Sequence, residues 1–438
     1  LEPLFGPWRQ NITIIADDAA RPEPNHGSIS TGQSHTINSE QIAEIIPSKF
    51  SLSKLYLLEF PEVSDASAYG VIKPQATEQL IDYINTGTSL ISYIGHGSPT
   101  QLAQEKLLDL NRGDINQMAT GKKLPLWIVG TCSFGHFDDP QTESFAEELI
   151  RSRMNAASLV ISTSRPITVV GNERYTSDLF QSMFDDKNVN HESVGFILQS
   201  IKDGTAESQY FHLFGDPALK LPMPLNSIDS ISLEPDTLKT LDIGVATVKQ
   251  SELIQNGQGF VIFKDAKRLV NRQYEIASET YSLSYLLPGA TLFRGLFTFD
   301  NENFQFQIRV PKDISYSNKP GKLSVYIFND DNEAFGTLED IHIIGGEEIE
   351  DDSGPIITFE TSTGKVLNDG DHFYFNEDLK IQFYDPVGIN ITNETGHEIK
   401  IKNLENNQET NVTNKFFYNE NSINSGNIFY KLENEEFI

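Results

Sequence analysis

The sequence predicts an α/β domain on a parallel sheet over residues 1–224, then two all-β sandwich domains over 225–348 and 349–438. Three observations carry this reading. Apolar runs alternate with helical stretches up to about residue 224, the rhythm of βαβ units. After Pro222-Met-Pro224 the helical periodicity stops, and alternating, aromatic-rich runs take over. An acidic stretch with glycine at both ends, Gly345-Gly-Glu-Glu-Ile-Glu-Asp-Asp-Ser-Gly354, then marks a second seam.

Each element follows from local chemistry. Asn11-Ile-Thr-Ile-Ile15 is an apolar strand ending in Ala16-Asp17-Asp18. A helix is expected from Ser39 to Ile46, with the Ser39 hydroxyl as its cap. Lys54–Leu58 is a second strand, followed by Glu59. Pro74–Ile84 is helical, with proline in the first turn and Gly87 past the end. A third strand, Ser89–Ile94, leads into Gly95-His96-Gly97-Ser98, and a fourth, Leu126–Gly130, into Thr131-Cys132-Ser133. Thr142–Arg153 is helical, with Phe145, Ala146, Leu149 and Ile150 on one face, and Asp138-Asp139-Pro140 is expected to cap it. Ala157–Ile161 is a fifth strand ending in Ser162-Thr-Ser-Arg165, and helices follow near 172–184 and 192–203. Beyond the first seam, Phe304, Phe306 and Ile308 alternate as in a half-buried strand. Runs at 259–263, 291–297 and 322–327 complete the first sandwich, and runs at 356–360, 371–375, 379–384 and 398–401 begin the second. The chain starts without Met and stops at Glu-Glu-Phe-Ile438, so the last domain is expected to be incomplete.

Composition narrows the partners. The formal net charge of −29 repels nucleic acid and anionic lipid, so no nucleic-acid partner is expected. The single cysteine excludes an internal disulfide and a cysteine-based zinc site. No run approaches the ~18 continuous apolar residues of a spanning helix. No cofactor is required, and no metal site is read from the chain. Structural calcium on an acidic sheet-edge loop is compatible with the composition but has no ligand spacing behind it.

Cys132 and His96 carry the chemistry. In open α/β sheets, sites form where loops leave the C-terminal ends of neighbouring strands. Cys132 and His96 each follow a buried strand at that edge. A thiol and an imidazole brought together this way supply a nucleophile and its base. The backbone N–H groups of Gly97 and Cys132 are the candidate donors to an oxyanion. The small Gly95 and Gly97 are expected to leave room for substrate. Asp17 or Asp18, ending the first strand, is the candidate acceptor for the other imidazole nitrogen, with Glu59 as competitor. Asp18, Glu59 and Arg165 are candidates for lining the cleft. His136 is a rival base four residues after the thiol.

Tyr93-Ile-Gly-His-Gly-Ser98, Gly130-Thr-Cys-Ser-Phe-Gly-His-Phe137 and Phe214-Gly-Asp-Pro-Ala-Leu219 resemble the gingipain family of caspase-like cysteine peptidases. Ile15-Ala-Asp-Asp18, Phe137-Asp-Asp-Pro140 and Ser162-Thr-Ser-Arg165 are similar to the family's PorU-type sortases of the type IX secretion system. The resemblance implies a caspase-like fold with Ig-like β domains behind it. It matches Cys132 to the nucleophile, His96 to the base and Asp17 to the acid supporting that histidine. A second family acid falls near His35. The implied role is a secreted endopeptidase on the outer face of the bacterial outer membrane. Such an enzyme removes C-terminal signal domains from exported cargo and passes the acyl group to anionic lipopolysaccharide. An outer-membrane barrel of the secretion system is the implied tethering partner. The alternatives are a secreted gingipain-like protease and a non-catalytic caspase-like surface scaffold.

Overall fold

The computed structural model describes residues 4–18, 32–66, 70–152, 156–185, 192–250, 254–276, 278–312, 314, 319–346, 353–372, 374, 377–404 and 406–431. They divide into two compact units, 1–225 with 269–287, and 226–268 with 288–438.

The first unit is a sheet with helices. Its strands are β1 (Asn11–Ala16), β2 (Ser51–Tyr56), β3 (Leu90–Ile94), β4 (Leu126–Gly130), β5 (Leu159–Thr163) and β6 (Phe211–Phe214). Their order across the sheet is β6-β5-β4-β3-β1-β2. Every residue of β3, β4 and β5 is buried, as strands covered on both faces require. Helices α1 (Gln33–Ile45), α2 (Pro74–Thr86), α3 (Phe145–Arg151), α4 (Val169–Phe184), α5 (Val194–Ser200) and α6 (Ala206–Tyr210) connect the strands. Gly87 ends α2 at φ 116°, a left-handed position that favours glycine.

Two registers place the site. Ile94 in β3 lies opposite Gly130 in β4, and opposite Ala16 in β1. The residues that follow, Asp17, Gly95-His96 and Thr131-Cys132, therefore leave the sheet side by side at one edge.

Three expectations are corrected. The sheet is mixed, because β6 runs antiparallel to β5. Helix α6 returns the chain to the C-terminal end of β5, where Ser164 N–H donates to Tyr210 O at 2.9 Å, so β6 enters there and runs back. The first helix starts at Gln33, not Ser39, and Gly32 stands at its N-cap. Its buried face is mostly polar (His35, Thr36, Asn38, Ser39 and Ile42), which hides it from a search for apolar periodicity. The cap of α3 is Ser144, which forms a capping box with Glu147, rather than Asp138 or Asp139.

A hairpin of β7 (Arg268–Ile276) and β8 (Glu279–Leu287) contributes residues 269–287 to the first unit, although it follows the seam at 224 in the chain. Glu59 accepts from Arg272 Nε at 3.2 Å and from the Tyr285 hydroxyl. Glu40 of α1 accepts from the Leu286 N–H at 3.0 Å, and Lys54 donates to Leu286 O at 2.8 Å.

The second unit is all β. In its strand Asn303–Arg309, Phe304, Phe306 and Ile308 point inward, as their alternation predicts. One apolar cluster takes in Phe293 and Ile327 from before the acidic seam, and Ile381 and Tyr418 from after it. Gly295 pairs with Tyr418, whose ring stacks on Phe293 at 4.5 Å, so the core is continuous across that seam. The middle of the seam, and part of the run expected at 371–375, lie outside the described residues.

Candidate active site

The His96 side of the edge is held by its backbone. His96 N–H donates to Asp17 Oδ2 at 2.7 Å. Its carbonyl accepts from the Tyr93 hydroxyl at 2.6 Å and from Ala103 N–H at 2.9 Å. Gly95 is required by this crowding. A Cβ there would lie 2.2 Å from Asp17 Cβ and 2.6 Å from the Tyr93 hydroxyl. Gly97 is likewise closed in, with a Cβ meeting Thr131 Oγ1 at 2.7 Å. Both glycines thus serve close packing, rather than the open approach expected for substrate.

The imidazole itself meets a residue outside the expected set. His35 Nε2, on α1, lies 3.4 Å from His96 Nε2, with the two rings edge to face. Asp17 holds the main chain of His96, and its carboxylate lies within 4.8 Å of both imidazoles. His35 is 3% exposed, and its Nδ1 meets no polar partner among the described residues. Its sequence signal is the helical spacing His35, Asn38, Ser39, Ile42, which is legible only when buried polar residues count as a face.

The Cys132 side is looser. Ser133 adopts φ 54°, in the left-handed region, and turns the chain sharply just after the thiol. Ser133 N–H is tied to Thr163 Oγ1 at 3.1 Å, and Asn172 Nδ2 holds Gly130 O at 2.8 Å. Cys132 Sγ, half-buried, has Ile167 O at 3.8 Å. Cys132 N–H has no acceptor within reach among the described residues. Gly97 sits opposite Leu102 between two hydrogen-bonded positions, so its N–H faces away from that strand.

Sequence and geometry meet in the family. The model of Peptidase family C25 matches residues 2–222, half of the chain. The chain belongs to family C25, the gingipain family of cysteine peptidases. No curated protein matches it. It is similar to the crystal structure of the Arg-specific cysteine proteinase gingipain R at 14% identity, covering 77% of this chain and 68% of that one, with a TM-score of 0.36. A complex of the Porphyromonas gingivalis RgpB pro- and mature domains gives 14% identity, coverage of 77% and 69%, and a TM-score of 0.37. Dimeric latent PorU from Porphyromonas gingivalis gives 21% identity over 57% of this chain and 26% of that one, with a TM-score of 0.32.

In this peptidase the electrostatics favour an uncharged imidazole. Burial lowers the His96 pKa, opposed by the charge of Asp18. Burial, with His96 adjacent, pushes His35 down to about 3. Burial raises the Asp17 carboxyl well above its usual range, helped by Asp18 and Glu105 and opposed by the N–H groups of His96 and Asp18. Asp18 is paired with Lys73, whose ammonium also donates to Leu57 O at 2.7 Å.

The other cleft candidates are spoken for. Glu59 follows the edge strand β2, which β1 separates from β3, and it binds β7 and β8. Arg165 forms a two-pronged ion pair with Asp138. His136 Nε2 lies 3.4 Å from Asp138 Oδ1. Among the described residues no helix is long and apolar enough to cross a membrane.

Proposed function

We propose that the chain is an endopeptidase in which Cys132 is the nucleophile and His96 the base. One observation carries the reading. β3 and β4 are paired in register, and His96 and Cys132 leave their ends together. His35 faces Nε2 of His96, which leaves Nδ1 to serve the thiol. For Nδ1 to carry the lone pair, Nε2 must hold the proton, which then points toward His35 Nε2 at 3.4 Å. Nδ1 then takes the thiol proton, and the thiolate attacks the peptide carbonyl carbon. The oxyanion is received by the N–H groups of Cys132 and Gly97. His96 returns the proton to the departing amine as the C–N bond breaks, leaving a thioester on Cys132. Water or a second amine then attacks the thioester. Asp17 acts as a positioning residue through the His96 backbone, and His35 through the ring. The reaction needs no cofactor.

The finer reading is a PorU-type sortase of the type IX secretion system at the outer face of the outer membrane. It rests on the Ile15-Ala-Asp-Asp18, Phe137-Asp-Asp-Pro140 and Ser162-Thr-Ser-Arg165 motifs. Its substrates are the C-terminal signal domains of exported cargo, its acyl acceptor an amine on anionic lipopolysaccharide, and its tether an outer-membrane barrel. Replacing Cys132→Ala or His96→Gln lowers kcat/KM on cargo peptides by about 10³-fold or more, read by mass spectrometry of the cleaved product. Cargo that still loses its signal domain in cells holding only Cys132→Ala refutes the assignment.

A further inference from the structure

His35 and His96 meet in a geometry that suits a metal better than a hydrogen bond. Their Nε2 atoms are 3.4 Å apart, beyond the usual N–H to acceptor distance of about 2.9–3.0 Å. Two imidazole nitrogens bound tetrahedrally to zinc at about 2.05 Å would lie about 3.3 Å apart, with ring centroids about 5.2 Å apart. Here the centroids are 5.0 Å apart and the rings stand at 87°. The Asp17 carboxylate supplies a third donor, with ligand atoms from all three residues within 4.8 Å of one another. Both Nε2 atoms converge, so one proton must leave or move before the pair becomes a ligand pair. Cys132 does not join this group among the described residues.

We infer that His35, His96 and Asp17 form an inhibitory site for a borderline-soft divalent cation, Zn²⁺ above all, with water in the fourth position. Imidazole donors favour zinc over calcium or magnesium, which take oxygen ligands. Binding at His96 Nε2 fixes the tautomer. The proton on Nε2 moves through solvent to Nδ1, and Nδ1–H can no longer accept the thiol proton. The ion therefore stops the reaction without touching the nucleophile, and its release restores it. This consequence for activity rests on the Cys132–His96 reading above, whereas the metal site stands by itself.

The test binds Zn²⁺ and Co²⁺ to the full chain without substrate. Calorimetry is expected to give one site per chain, weakened at least about tenfold in His35→Gln and in Asp17→Asn and unchanged in Cys132→Ala. Zinc-edge X-ray absorption of the wild type, which needs no variant, should show two imidazoles and no sulfur near ~2.3 Å. Sulfur in that shell, a loss of Co²⁺ ligand-field bands in Cys132→Ala, or wild-type affinity in His35→Gln overturns the site. An active peptidase unaffected by saturating zinc overturns the inhibitory role. A chain with no peptidase activity but His35-dependent zinc binding supports the site and sinks the peptidase reading instead.

Discussion

The two halves of the site are built differently. On the β3 side, His96 is fixed through its N–H and its carbonyl, and its ring faces His35. On the β4 side, Cys132 sits on a tight turn with an N–H unengaged among the described residues and one distant carbonyl near its sulfur. The difference matches the roles proposed for the two groups. A base works by holding one lone pair at a fixed place, so its surroundings can be crowded and complete. A nucleophile must accept a substrate carbonyl, and any protein group bonded to its N–H would compete with the oxyanion. In the proposed mechanism the site is thus rigid at the base and open at the nucleophile.

Substitutions at the two glycines that flank His96 probe this crowded side most sharply, Gly95 against Asp17 and Gly97 against Thr131, the residue before the thiol. Gly95→Ala puts a Cβ 2.2 Å from the Asp17 Cβ, both backbone-anchored, so neither can yield. The expected cost is about 3 kcal/mol of stability, at the upper end for overpacking a filled core. Gly97→Ala instead meets Thr131 Oγ1 at 2.7 Å and Cγ2 at 2.8 Å, with Gln101 O at 3.2 Å, γ atoms one bond further from the backbone than the Asp17 Cβ. Its cost should be about 1 kcal/mol. Urea unfolding of both variants checks the pair. Equal losses would mean that the His96 loop packs as tightly against Thr131, on the Cys132 side, as against Asp17.

The same contrast decides what could be read from the chain. Cys132 and His96 each follow an apolar strand, and a buried parallel strand announces itself by composition alone. Their adjacency followed from strand order. His35 stayed hidden because its helix buries Thr36, Asn38 and Ser39, and a helix start placed at Ser39 removes His35 from it. Asp17 was found as a residue, but its acceptor role toward a backbone N–H depends on a loop that sequence does not position. The antiparallel β6 and the inclusion of residues 269–287 in the first unit depend on where a long connection returns, and local propensity does not encode that.

The crowded half should also carry an acid signature. In the unfolded chain His35 titrates near 6.5, whereas in the fold burial holds it at about 3. Between these values the unfolded chain binds a proton that the folded chain refuses. Stability contributed by keeping His35 neutral is therefore whole above pH ~6.5 and declines as pH falls toward 3. Lowering pH from 7 to 5 should cost the wild type about 2 kcal/mol more than His35→Gln, measured by urea midpoints at each pH. The opposing contribution of Asp17, whose raised carboxyl favours the fold in acid, is present in both proteins and cancels in the difference. Identical acid losses would remove the pair of facing imidazoles as a source of tension.

The open half predicts a near absence of effect. Arg165 holds Asp138 in a solvent-facing ion pair beside the Cys132 turn, and this pair keeps the Asp138 carboxyl down at about 2. At neutral pH both partners stay charged whether or not they meet, and exposed pairs of this kind are screened by salt. Asp138→Asn should leave the melting temperature at pH 7 unchanged within error, at low and at high salt. The backbone bonds of the turn, from Ser133 to Thr163 and Arg165, do not use either charged group. If Asp138→Asn instead melted earlier than Gly97→Ala, the turn would depend on its surface clip, and the thiol would be as firmly preset as the imidazole.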